Sequence, residues 1–154
     1  MIKFSLPLTQ LIHEKLSIIM TFVFSRQPLE ELIEDNFKGY WKYLNKAIFE
    51  ISEQRAEKAC LELAMFLRLL DNDQKISEYI EQRNSFTFGR LIKNNKPGED
   101  LSIRDVCNKI IHASDFIWDF PNKYLICKSQ EPDKWIRAEI EIISLAALCG
   151  ELIS

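Results

Sequence analysis

The sequence pattern that decides the fold is SEQRAEKACLELAMFLRLL, residues 52–70. Small and apolar side chains recur through it at steps of three and four, as they do on the buried face of a helix. They are Ala56, Ala59, Cys60, Leu63, Ala64, Leu67 and Leu70. Because the face includes alanines, a second helix can approach it closely. The pattern predicts a central helix over residues 52–70, closed by the polar run Asp71-Asn72-Asp73.

The N-terminal side of this helix predicts further core elements. Residues 16–24 are apolar apart from one serine and one threonine. A stretch of this length is too short to cross a bilayer, which takes about 20 residues, so we interpret it as part of the core. Further along, Pro28 precedes a pair of glutamates. Proline in a first turn, with acids near the positive end of the helix dipole, predicts that a helix begins at Pro28.

The C-terminal side first predicts two helices separated by a loop. Residues 76–82 have the spacing of a short helix, and Pro97-Gly98 marks a loop over residues 94–100. Either Asp100 or Ser102 then caps a second helix, which ends near Ser114. The apolar face of that helix consists of Leu101, Ile103, Val106, Cys107, Ile110 and Ile111.

The period changes from helical to alternating after residue 115. Alternation over residues 124–128 and 135–140, on either side of a turn with Pro132, predicts a β-hairpin, and residues 116–119 are a candidate third strand. Helical spacing returns over residues 141–153. We therefore predict one domain, residues 1–154, of the mainly α class: a helical bundle with a small antiparallel β-hairpin before its C-terminal helix.

The composition excludes several classes of protein. A net charge of −3 and a pI near 5.5 argue against a constitutive binder of nucleic-acid backbones, which relies on clustered Lys and Arg. The four cysteines are Cys60, Cys107, Cys127 and Cys149, and their wide spacing does not form a zinc motif. We expect Cys60, Cys107 and Cys149 to be buried, reduced thiols, which fits a cytoplasmic protein.

Common catalytic motifs are missing from the sequence. It contains neither of the glycine-rich phosphate-binding patterns and no nucleophile elbow. With only two histidines, His13 and His112, a multi-histidine metal site is excluded. We therefore expect no cofactor, no bound metal and no membrane segment.

The remaining candidate site is a polar stripe on the helix that follows Ser102. Steps of four place Arg104, Asn108 and His112 along one side of that helix. Such a stripe could bind a phosphate or carry out acid–base chemistry, because histidine titrates near neutral pH. The structural alternative is that Asn108 bonds to backbone and holds the hairpin, while His112 interacts with the helix dipole.

The order of these features resembles the HEPN family of small helical domains. The resemblance covers about half of the chain and rests on residues 68–71 (RLLD), 88–92 (FGRLI) and 107–113 (CNKIIHA). It implies a helical domain whose catalytic members dimerise and cut RNA with an arginine, an adjacent polar residue and, a few residues later, a histidine. Asn108 and His112 match the polar residue and the histidine. Cys107 stands where the arginine is expected, Arg104 lies one turn earlier, and the hairpin is not a general feature of the family.

Three hypotheses follow, from different functional classes. The first is a non-enzymatic module that forms a homodimer or docks a protein partner through Asn108 and His112, with Trp118, Trp135 and Arg137 as further candidates for the binding surface. The second is a metal-independent ribonuclease, a toxin or defence component, that uses Arg104, Asn108 and His112. The third is a small-ligand or nucleotide pocket between the bundle and the hairpin. The absence of a cation at Cys107 favours the first, because RNA cleavage needs a cation near the scissile phosphate.

Overall fold

The computed structural model describes residues 6–36, 45–83 and 87–153. In chain order the elements are α1 (Leu6–Asn36), a π-helical turn (Lys46–Glu50), α2 (Ile51–Gln74), α3 (Ile76–Arg83), β1 (Gly89–Ile92), β2 (Glu99–Asp100), α4 (Ile103–Ile111), β3 (Ala113–Asp119), β4 (Tyr124–Ser129), β5 (Arg137–Glu141) and α5 (Ile142–Ile153). Within these ranges no helix combines the length and the apolar character needed to cross a membrane.

The two longest helices form the helical layer. The predicted central helix is confirmed as α2, and every residue of its predicted apolar face is buried. Its predicted end at Asp71-Asn72-Asp73 is wrong, because α2 continues through these residues to Gln74. The apolar stretch over residues 16–24 is confirmed as a core element, since it contributes Ile19, Phe22 and Val23 to the core. The predicted helix start at Pro28 is wrong, because Pro28 lies inside α1.

The predicted fold class is also wrong, because the β-structure is much more than a small hairpin. The protein contains a five-stranded antiparallel sheet in the order β2-β1-β5-β4-β3. The predicted hairpin is present as β4 and β5, and the candidate third strand is β3. The prediction missed the strands at the opposite edge of the sheet. There β1 pairs with β5, and β2 extends the sheet by two residues. The domain is therefore an α+β structure in which helices cover a sheet.

One face of the sheet forms the core with the helices. Trp118, Leu125, Ile140 and Gly89 lie side by side across β3, β4, β5 and β1, and all are buried. The neighbouring residues along the strands point to the opposite face, where Ile117 is 40% exposed. Phe22 of α1 meets the indole of Trp118 edge-on, with 5.1 Å between ring centroids. The helices thus pack on one face of the sheet and leave the other in solvent.

The start of α4 is fixed by a capping box. The Ser102 hydroxyl accepts a hydrogen bond from the Asp105 backbone N–H, and the Asp105 carboxylate accepts one from the Ser102 N–H, both at 3.2 Å. These two bonds satisfy backbone donors that the first turn of a helix leaves free. Of the two predicted caps, Ser102 is therefore the correct one, and it sets the orientation of the candidate stripe.

A cluster of carboxyl groups lies where α2 passes β3. Partial burial raises the pKa of Glu57, and the nearby charges of Glu53 and Asp115 raise it further. The indole of Trp118 opposes this rise, although its buried N–H forms no hydrogen bond of normal geometry within the described chain. Ionised Glu57 is thus less favourable in the folded protein than in the unfolded chain.

We expect Glu57→Gln to stabilise the protein at pH 7 but not at pH 3.5. A raised pKa means that the folded state holds the proton more tightly, so this stability is present below the ordinary value of 4.5 and is lost as pH rises through the raised value. Because Glu57 is only partly buried and water screens its charge, the gain at pH 7 should be at most about 0.5 kcal/mol. Urea denaturation at both pH values measures it, with Glu31→Gln on the exposed side of α1 as the control. An equal gain at both pH values would contradict this explanation.

Candidate functional site

The predicted stripe lies on the outward side of α4. Arg104 and His112 are exposed and Asn108 is half-buried, whereas Ile103, Val106, Cys107 and Ile110 of the same helix are buried. His112 is the residue that ends α4, and its backbone N–H donates to the Asn108 carbonyl at 2.9 Å. The Asn108 side chain has no hydrogen bond to backbone within the described ranges. The three side chains therefore face solvent along one side of the helix.

Arg104 is held by a carboxylate that the sequence analysis did not assign to the site. Its Nε donates to Oδ2 of Asp71 at 2.9 Å, and this ion pair connects α4 to the end of α2. The Asp71 side chain is 5% exposed and that of Arg104 is 68% exposed. A signal was present in the sequence, because Asp71 continues the buried Ala64 and Leu67 positions at helical spacing. A carboxylate on a core face needs a partner.

A first cleft opens between α2 and α4 around this ion pair. Its volume is about 210 Å³, and it is lined by Leu67, Arg68, Asp71, Asn72, Ile103, Arg104, Cys107 and Asn108. Leu67, Ile103 and Cys107 form its buried apolar floor. Two arginines and two asparagine amides therefore surround one buried carboxylate.

Cys107 contributes a neutral thiol to this cleft. Burial, together with the nearby carboxylate of Asp71, raises the pKa of Cys107 to about 12, although the cation of Arg68 offsets part of the rise. A thiol with such a pKa is neither a nucleophile nor a charged group at neutral pH. The predicted burial of Cys60, Cys107 and Cys149 is confirmed, since all four cysteines are buried and free.

A second cleft, of about 260 Å³, lies between α4 and the connection from β4 to β5. It is lined by Asn108, Lys109, His112, Gln130, Glu131 and Trp135. The Lys109 ammonium lies 4.6 Å from the centre of the Trp135 ring, within the range of a cation–π contact. Asn108 borders both clefts, so the two form neighbouring parts of one surface.

The acidic side of the second cleft is balanced by cations. Lys134 forms an ion pair with Glu131 at 2.8 Å and lowers the pKa of that carboxyl, and His112 lowers it by a smaller amount. Lys134 is in turn held by Glu131, which raises the pKa of the ammonium. Glu131 therefore lies in the same cleft as the His112 end of the stripe. Both side chains are exposed, so water weakens their interaction.

The other candidates for the binding surface do not lie together. Trp118 is 9% exposed and packs on Phe22, in the core between sheet and helices. Trp135 is 7% exposed and contributes the edge of the second cleft. Arg137 lies on the solvent face of the sheet, 3.5 Å from the carboxylate of Glu139. Only Trp135 therefore shares a surface with Asn108 and His112.

The surface over both clefts is locally basic in an acidic protein. Arg68, Arg104, Lys109 and Lys134 contribute positive charges there, against the carboxylates of Asp71 and Glu131. Across the described part of the chain, no three His, Cys, Asp or Glu side chains cluster as a metal ion would require. No family model, curated protein or solved structure matches the chain.

Proposed function

We propose that the protein is a non-catalytic binding module whose partner docks on the surface formed by the two clefts, which we call the α4 surface. The observation that supports this proposal is that side chains of the α4 surface are held in place before any partner binds. Arg104 and Lys109 are fixed by an ion pair and by a cation–π contact. Asn108, between them, directs an amide without a partner in the described chain to the outside. Side chains ordered in advance lower the entropy cost of binding.

The same surface is a poor match for RNA cleavage. The position next to Asn108 holds the buried, neutral thiol of Cys107, where the HEPN resemblance expects an arginine. Arg104 precedes His112 by eight positions, which is roughly 12 Å along a helix, and its guanidinium turns toward Asp71. The cation and the proton-transfer group of a nuclease act on the same phosphate. This separation supports binding over catalysis.

The charge of the α4 surface supports a partner that presents carboxylates or other anions. Opposite charges across an interface speed association and exclude wrong partners. A second copy placed over the α4 surface by a twofold axis would instead bring Arg104 and Lys109 near their own equivalents. The homodimer predicted from the sequence through Asn108 and His112 stays a prediction.

Photo-cross-linking from the α4 surface tests the proposal. We expect p-benzoylphenylalanine at His112 to give a discrete protein adduct in cells that express this protein naturally. The yield should fall in lysates as salt is added, because salt screens exposed charges. Gln54, exposed on the far side of α2, is the matched control position. No adduct from position 112, or equal yields from both positions, would contradict docking on the α4 surface.

The alternative function is a metal-independent ribonuclease that uses Arg104, Asn108 and His112. One observation favours it: the three side chains lie on one accessible side of α4, so a single RNA strand could contact all of them. This alternative predicts cleavage that depends on His112. Binding without cleavage is what the proposal predicts.

A further inference from the structure

The ion pair between Arg104 and Asp71 uses only one of the three nitrogens of the guanidinium. Asp71 is engaged through Nε, so the two terminal Nη groups of Arg104 can present their N–H donors to the first cleft. They have no partner in the described ranges, and the side chain is largely exposed. A buried carboxylate that holds Nε fixes the plane of the guanidinium. The donors are thereby set in a fork that suits phosphate oxygens.

Other donors surround the same point. Arg68 lines the cleft from α2 and lies near enough to Cys107 to act on its thiol, yet it forms no ion pair within the described chain. Asn72 from α2 and Asn108 from α4 add amide groups on either side. Two guanidinium charges against the one carboxylate of Asp71 leave a net positive charge in the cleft. The apolar floor strengthens charge interactions by keeping water away from one side.

From this geometry we infer that the first cleft binds a tetrahedral oxyanion of the phosphate class, held by the Nη donors of Arg104, the guanidinium of Arg68 and the amides of Asn72 and Asn108. Asp71 is a positioning residue in this site, because it acts through Arg104. The inference does not depend on the docking proposal, since it concerns the first cleft alone. The anion is either free phosphate or a phosphomonoester group of a larger molecule.

Amide chemical shifts of the ¹⁵N-labelled protein test the site directly. We expect inorganic phosphate at pH 7 to cause saturable shifts at Asn72, Arg104 and Asn108 that sodium chloride at equal ionic strength does not cause. Arg104→Gln and Arg68→Gln should each weaken binding about tenfold, which corresponds to one lost charge-assisted hydrogen bond. Arg104→Lys should also weaken it, because lysine keeps the charge but not the fork. Arg55→Gln, an exposed arginine of α2 outside the cleft, should change nothing.

Two outcomes would overturn the inference. One is a phosphate response that does not saturate or that spreads over the whole surface, as expected for general screening. The other is equal phosphate affinity in wild type and Arg68→Gln, a variant that removes no ion pair found in the described chain and so should fold normally. A second titration, with O-phosphoserine, separates the two sources of the anion. Tighter binding than phosphate assigns a phosphomonoester, and weaker binding assigns the free ion.

Discussion

Gly89→Ala is expected to abolish stable folding. Gly89 begins β1 with φ of +128°, a backbone conformation that residues with a Cβ rarely adopt. A Cβ at this position would lie 1.8 Å from the Glu139 carbonyl oxygen of β5, so the two strands could not keep their pairing. The backbone strain and the clash together should lower the free energy of unfolding by more than about 4 kcal/mol, as severe disruptions of a protein core do.

Urea denaturation followed by far-ultraviolet circular dichroism measures this effect. Gly150→Ala is the matched control, because a Cβ there meets no atom within 4 Å and the residue lies inside α5. Alanine is favoured over glycine within a helix, so the control should gain up to about 1 kcal/mol. A free energy of unfolding for Gly89→Ala close to that of wild type would contradict the pairing of β1 with β5.

The second large loss of stability is expected for Trp118→Ala, at a residue that was predicted from the sequence to belong to a binding surface. The indole is buried between β3 and α1, where it meets Phe22 edge-on and borders Leu125 on the next strand. Removing a buried tryptophan leaves a cavity and should cost about 3–5 kcal/mol. Loss of partner binding in this variant would therefore report unfolding.

Neighbouring substitutions make the Trp118 test specific. Ile117→Ala, on the solvent face of the same strand, should cost less than about 1 kcal/mol. Trp118→Phe keeps an aromatic ring against Phe22 and removes an indole N–H that has no hydrogen bond within the described chain, so it should cost less than Trp118→Ala. Equal stability of Trp118→Ala and Ile117→Ala in urea denaturation would show that Trp118 is not part of the core.

The parts of the fold that were predicted correctly from the sequence are those with a clear local periodicity. The long apolar face of α2, the serine cap of α4 and the alternation of β3 to β5 are patterns within one element or between neighbours. By contrast, β1 has four residues, too few for a period, and its partner β5 follows only after β2, α4, β3 and β4. The close approach of Gly89 to the Glu139 carbonyl comes from the pairing with β5, and nothing near either residue predicts it.

The same limit applies to Pro28 and to the site. A proline usually marks the start of a helix, but α1 continues through Pro28, with an ion pair at 2.6 Å between Arg26 and Glu30 on either side of it. The stripe on α4 followed from helical spacing. Its connection to Asp71, 33 positions earlier, followed only from the packing of α4 on α2. Local spacing could place side chains on one face but could not identify their partners.

Ribonuclease activity is the most direct test of whether the α4 surface binds or cuts. The measurement is the cleavage of end-labelled single-stranded RNA at pH 7 in the presence of a chelator, by wild type, His112→Ala and His13→Ala. His13 is the other histidine of the chain and is exposed on α1, which makes it a matched control. We expect wild type to cleave no faster than His112→Ala. Cleavage by wild type and His13→Ala that is lost in His112→Ala would contradict it.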